Sequence, residues 1–189
     1  GLHTNGYSLA RHVAFDVFAA FPETYAPFAE FCQQVFRGPG PLAVRDRELI
    51  FAFCSRLNEC NYCFGGHSAS AHKLGVPEGT FDALLADIET AQVDAKLKPL
   101  LRLARKLNDT PSRMTQADTD ACAAAGWDDA AIHQAISLCC LANYMNRLVE
   151  ACGIPADPAL FARRAEMAVA HGYAEPFRRK LAEKGAPPR

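Results

Sequence analysis

Phe28-Ala29-Glu30-Phe31-Cys32-Gln33-Gln34-Val35-Phe36-Arg37-Gly38-Pro39-Gly40-Pro41 reads as a helix followed by its stop. Phe28, Phe31, Cys32, Val35 and Phe36 fall at i, i+3, i+4, i+7 and i+8, so their side chains share one apolar face. Gly38 ends the run, and the alternating glycines and prolines make a rigid turn too short to be a domain linker. The aromatic stripe from Phe15 to Phe36 is accordingly expected in a core rather than in a ligand pocket.

The same period continues along the chain. Leu49, Ile50, Phe53, Cys54 and Leu57 form a second stripe, and Leu97, Leu100, Leu101, Ala104 and Leu107 another, which Asp109-Thr110-Pro111 ends. Asn58 is expected to cap the helix that Gly75 and Pro77 close. Thr115 with Asp118 resembles a capping box, and Gly126 stops that helix. Asp128 is expected to cap a long helix through Ile132, Ala135, Ile136, Cys139 and Asn143, and Pro158 suits the first turn of a last core helix. No alternating strand or Asn-Gly hairpin signal interrupts the series. The expectation is one all-α domain of about eight or nine helices. The basic tail from Pro176, with Arg178, Arg179, Lys180, Lys184 and Arg189, is expected to be a solvated end or an oligomer arm.

The 189 residues suffice for a substantial core, and 50% hydrophobic with 22% charged residues is an ordinary globular composition. Twenty basic against twenty-one acidic residues leave a formal charge of -1, no electrostatic footprint for nucleic acid or an anionic membrane. No apolar run is long enough to span a bilayer. The outlying number is eight cysteines. No charged segment leading into an apolar run opens the sequence from Gly1, so the expected compartment is reducing and cytoplasmic, where paired cysteines are catalytic or metal-binding rather than structural.

The informative cysteines lie in Cys60-Asn61-Tyr62-Cys63-Phe64-Gly65-Gly66-His67. At about 100° per residue, Cys60, Cys63 and His67 share a helical stripe roughly 60° wide. With Asn58 as cap, Cys60 would sit in the first turn, where free N–H groups and the macrodipole favour a thiolate. Gly65 and Gly66 are poor helix formers, so their presence points to close approach of another helix or a ligand. Thiol redox chemistry needs these parts: a thiolate to attack the peroxide, an imidazole to move the proton, and a second thiol to capture the sulfenic acid. Glu48 on the preceding helix could orient His67 or complete a proton relay.

Glu48, Cys60, Cys63 and His67, at this spacing, resemble the active-site pattern of the AhpD-like group of the carboxymuconolactone decarboxylase superfamily. The lead-in Gly40-Pro41-Leu42 with Arg45-Asp46-Arg47-Glu48-Leu49 is similar to that family's entry into the glutamate-bearing helix. Asn143-Tyr144-Met145-Asn146-Arg147 is similar to the second half of its peroxidase-related branch. A bare CxxC is a weak signal, and the full spacing is a strong one. The resemblance covers about residues 20–155 of a domain expected to span 1–189, with a C-terminal helix and tail over 156–189.

The resemblance implies an all-α fold and a homo-oligomer, commonly a trimer or hexamer. It implies a peroxidase of the alkylhydroperoxidase kind, with peroxiredoxin activity, acting on hydrogen peroxide or organic hydroperoxides through a CxxC disulfide cycle in antioxidant defence. Cys63 would be the peroxidatic thiol, Cys60 would resolve it, and His67 and Glu48 would move and hold the proton. No cofactor is implied. The partners are the hydroperoxide and an external thiol reductant of lipoyl or thioredoxin type, with no nucleic acid or membrane. The family's best-known member has a second histidine where this chain has Tyr62, whose phenol shuttles protons poorly at pH 7. Helix-end placement by itself would favour Cys60 as the more acidic thiol.

Other readings compete. Two thiols, an imidazole and Glu48 could hold zinc, although structural zinc usually joins separate segments. The pair could also serve as a redox sensor or relay, or the chain could be a decarboxylase of the superfamily's namesake type, which needs no CxxC pair. Cys32, Cys54, Cys122, Cys139, Cys140 and Cys152 are expected to be buried packing residues. His3, His12, His72, His133 and His171 are expected at the surface or at helix ends, and Asn143 with Arg147 as an i,i+4 packing or interface pair.

Overall fold

The structure, a computed structural model, describes residues 14–185. Gly1, His3, His12 and Arg189 lie outside the described residues, as do the side chains of Phe15 and Lys184. The described residues are all-helical with no strand. Their α-helices are α1 (Ala14–Ala20), α2 (Pro22–Arg37), α3 (Val44–Leu57), α4 (Asn61–Lys73), α5 (Thr80–Ala86), α6 (Lys98–Asp109), α7 (Gln116–Ala124), α8 (Asp129–Ala151), α9 (Pro158–His171) and α10 (Ala174–Gly185).

Ten helices exceed the eight or nine expected, for local reasons. Pro22 removes a backbone donor and biases Phe21 away from helical geometry (φ -133°, ψ 64°), which separates α1 from α2. At the other end the basic tail folds up to Gly185. One face of it is packed rather than solvated: α10 lies on α1 and α2, and Phe177 is buried edge-on against Phe18, while Arg178 and Arg179 stay exposed. Its charges bridge outward, Arg178 to Glu30 and Lys180 to Asp16.

α3 occupies the middle, packed against α4, α6, α8 and α2. Every residue from Asp46 to Ser55 is buried, so this helix lacks a solvent face. Its start is fixed by the buried Arg47 guanidinium, which donates to the carbonyls of Leu42 (2.8 Å), Gly38 (2.7 Å) and Gly40 (3.3 Å) and so pins the Gly-Pro turn. Several expected ends are present: the Thr115–Asp118 capping box, Asp128 accepting from the Ala131 N–H, and Pro158 in the first turn of α9. No helix among the described residues is long and apolar enough to cross a membrane.

Five of the six packing cysteines are buried, and Cys140 is exposed. Cys139 and Cys140 are adjacent on α8, so only one of them can face α3 and α6. His72 meets the Val76 carbonyl at 2.8 Å beyond the end of α4, and His133 and His171 are exposed. Arg147 donates to the Asn143 side chain at 2.6 Å, as the i,i+4 spacing anticipates.

Candidate active site

The turn between α3 and α4 differs from the expected one. Asn58 does not cap α4; it is the C-cap of α3, and Glu59 follows in the left-handed region (φ 56°). The Cys60 N–H reaches back to the Ser55 carbonyl (3.0 Å) and the Glu59 N–H to that of Arg56 (3.1 Å), a Schellman closure. The Asn58 side chain is taken up elsewhere, among Asn108, Asn143 and Asn146 at 2.9–3.3 Å, tying α3 to α6 and α8. Cys60 itself becomes the N-cap of α4.

This shift by two residues reassigns the two thiols. Cys63, not Cys60, now lies in the first turn of α4, the end at which a helix leaves its N–H groups unpaired. Cys60 has no solvent exposure. A hydrogen bond with Cys63, then burial, pushes its thiol well up, so it stays protonated near neutral pH. Cys63 lines a cavity of about 480 Å³ together with Gly66 and His67, whereas Cys60 does not.

His67 follows Cys63 by four residues and is held from three sides. Its ring stacks on Phe36 (5.0 Å) and lies 4.0 Å from Phe51, centroid to centroid. Its Nδ1 is 2.7 Å from Oε2 of Glu48, which is fully buried. Burial alone would raise the Glu48 carboxyl, but the charge and hydrogen bond of His67, with those of Arg37, outweigh it and hold the group below the usual carboxylate range. An ionised carboxylate can only accept, so Nδ1 donates and Nε2 is left for proton exchange.

Spacing within the motif gives no sign of two further residues. Arg37, the last residue of α2, donates to Glu48 Oε1 at 2.6 Å and to the Ala168 carbonyl of α9 at 3.0 Å. Tyr173 donates to the same carboxylate at 2.9 Å and lies 3.2 Å from His67 Nδ1. Burial, then the Glu48 charge, raises the Tyr173 phenol far up, keeping it a donor. Gln33 sets this tyrosine by accepting its backbone N–H at 2.7 Å. The turn there needs Gly172, which has φ +69° and no room for a Cβ against Gln33. Arg37 reads from sequence as an ordinary basic residue in a last helical turn, and Tyr173 is 106 residues from His67.

The two glycines of the motif do different things. A Cβ on Gly65 would lie 2.0 Å from the ring of Phe161, so Gly65 permits α9 to pack on α4. A Cβ on Gly66 would meet nothing within 4 Å, and Gly66 opens onto the cavity beside Cys63. Tyr62, in the position of the family's second histidine, accepts the Ala14 N–H at 2.9 Å and carries the Arg164 guanidinium over its ring at 4.3 Å. Burial raises its phenol, against the lowering effect of Arg164, so it is no proton carrier at pH 7. Cys32 also lines the cavity, but burial pushes its thiol up to about 12. Among the described residues no three His, Cys, Asp or Glu side chains are disposed to hold a metal ion.

Residues 22–106 match the carboxymuconolactone decarboxylase family, and this stretch contains Glu48, both motif cysteines and His67. Over that stretch, 85 of the 189 residues, the chain is similar to this family. Its fold is similar to the crystal structure of an uncharacterized peroxidase-related protein from Silicibacter sp. TM1040, with TM-score 0.72, 22% identity, and 78% of this chain and 77% of that one covered. It is also similar to an uncharacterized peroxidase-related protein with an alkylhydroperoxidase AhpD core from Ralstonia eutropha JMP134, with TM-score 0.70, 20% identity, and 76% of each chain covered. No curated protein matches the chain. The site brings together a thiol pair, a buried carboxylate and an oriented imidazole, of which Cys63 and His67 line the cavity.

Proposed function

We propose that the chain is a thiol-dependent peroxidase, with Cys63 as the attacking thiol and Cys60 as the resolving one. The observation that carries this reading is that Cys63 lines the cavity together with His67, whose Nδ1 the buried Glu48 holds at 2.7 Å. The Cys63 thiolate attacks one oxygen of ROOH and the O–O bond breaks. The departing RO⁻ takes the proton that His67 drew from the thiol, leaving ROH and a Cys63 sulfenic acid. The Cys60 thiol then attacks that sulfur, an S–S bond forms, and the hydroxyl leaves as water. An external dithiol, of lipoyl or thioredoxin type, returns both cysteines to thiols and is itself oxidised. The reading carries with it a cytoplasmic location and a homo-oligomer.

The test is to add an organic hydroperoxide to the reduced protein and map disulfides by mass spectrometry. A Cys60–Cys63 disulfide with one equivalent of peroxide consumed is the expected result. Two intact thiols while peroxide persists would overturn the reading. Continued turnover with a dithiol reductant separates a peroxidase from a one-shot redox sensor.

A further inference from the structure

The cavity beside Cys63 contains a charge that the peroxidase reading leaves idle. Arg164, on α9, lines it, and both terminal guanidinium nitrogens are shut off from solvent with no hydrogen-bond partner among the described residues. The guanidinium carbon lies over the Tyr62 ring, 4.3 Å from its centroid, a cation–π contact that uses none of its N–H groups as hydrogen-bond donors to an oxygen. Burying donors of a cation unpaired is costly, so such a group is ordinarily matched by an anion. Asp16, the acid near Tyr62, is bridged by Lys180. Arg163, Ser70, His67 and Tyr173 also line it, and the rest of the wall is mainly apolar, with Phe18, Phe36, Phe51, Leu141, Met145 and Met167. At about 480 Å³ the space is of the size that encloses a small organic ligand.

We propose that this cavity takes an amphipathic organic hydroperoxide bearing a carboxylate, of the hydroperoxy fatty acid class. Its carboxylate pairs with the Arg164 guanidinium, its chain lies along the aromatic and methionine wall, and its peroxide reaches Cys63 past the open face of Gly66. The inference rests on the thiol peroxidase reading for the chemistry, and on Arg164 and the cavity alone for the binding. An arginine fork matches a carboxylate in two parallel hydrogen bonds, which a methyl ester cannot accept with the same strength.

The experiment has a kinetic arm and a binding arm. In the kinetic arm, kcat/KM for linoleic acid hydroperoxide is compared with that for its methyl ester, in the wild type, Arg164→Met and Arg164→Lys. The acid is expected to lead by at least tenfold in the wild type, about 1.4 kcal/mol. The ratio should fall to within about twofold in Arg164→Met and be intermediate in Arg164→Lys, since lysine keeps the charge without the fork. In the binding arm, unperoxidised linoleate should bind at least about tenfold more tightly than methyl linoleate, and Arg164→Met should erase the difference.

Equal treatment of acid and ester by the wild type, in rate and in binding, overturns the proposal. This comparison does not depend on any variant folding. A preference that survives in Arg164→Met overturns the role of Arg164. If linoleate binds through Arg164 while no hydroperoxide is consumed, the peroxidase reading fails and the carboxylate site stands.

Discussion

His67 Nδ1 lies 2.7 Å from Oε2 of Glu48, a carboxylate with no exposure to solvent that also accepts from Arg37 and Tyr173. Three donors from three different helical regions meet on one anion. The carboxylate therefore fixes which imidazole nitrogen holds the proton, and the ring packs against both Phe36 and Phe51, which also touch each other, so that the other nitrogen keeps its direction.

Replacing Glu48 with Gln removes the acceptor that imposes this tautomer. The amide can present an N–H to Nδ1 and so move the proton to Nε2, the nitrogen meant to accept. The Cys63-dependent rate of peroxide consumption should fall by about a hundredfold or more. Single-turnover kinetics with an organic hydroperoxide measure this directly. An unchanged rate would show that the His67–Glu48 contact has no part in proton transfer.

The same carboxylate makes stability depend on pH. Its folded-state value is held below the ordinary 4.5, so the unfolded chain binds its proton first as acid is added. The stabilisation from Glu48 is then fully present above the ordinary value and is lost as pH falls through the folded value. Urea midpoints followed from about pH 7 to about pH 3 should drop more steeply for wild type than for Glu48→Gln. Parallel curves would mean that Glu48 is not held ionised in the folded state.

The two thiols should separate cleanly in behaviour. Cys63→Ser is expected to abolish peroxide consumption, and Cys60→Ser to permit one turnover followed by over-oxidation of Cys63 to the sulfinic acid. Mass spectrometry of each variant after peroxide reads both outcomes. Iodoacetamide at neutral pH should label Cys63 well before Cys60, whose burial and raised thiol keep it unreactive. The opposite order would exchange the roles.

Gly65 and Gly66 are neighbours with opposite expected responses. Gly65→Ala drives a methyl into Phe161 and should cost about 1–3 kcal/mol. In a Phe161→Ala background most of that cost should vanish, a coupling that a double-mutant cycle by chemical denaturation would measure. Gly66→Ala meets nothing and removes helix-interior flexibility, so it should stabilise by about 0.5–1 kcal/mol. It should also narrow the approach to Cys63 and slow a bulky hydroperoxide more than hydrogen peroxide.

The all-helical fold is legible in the amino-acid sequence because its signals are local. Stripes such as Phe28–Phe36, the Thr115–Asp118 box, Asp128 and Gly126 each lie within about one to three helical turns, where side-chain periodicity and backbone sterics dominate. Glu48, Cys60, Cys63 and His67 stand out as candidates for the same reason, since a separation of nineteen residues, two adjacent helices and the turn between them contain them all. The Asn58 cap and the packed face of the tail are misread from sequence because both depend on distant partners. Asn58 is drawn to Asn108 and Asn146, and the tail is held by Phe18 and α2. Arg37, Tyr173 and Arg164 belong to the same class. An arginine at a helix end, a tyrosine after a glycine and an arginine on a late helix have no local pattern that marks them. Only packing α2, α9 and the Gly172 turn around α3 and α4 brings Arg37 and Tyr173 to Glu48, and Arg164 to the cavity that Cys63 lines, because a buried carboxylate demands donors that local sequence cannot supply.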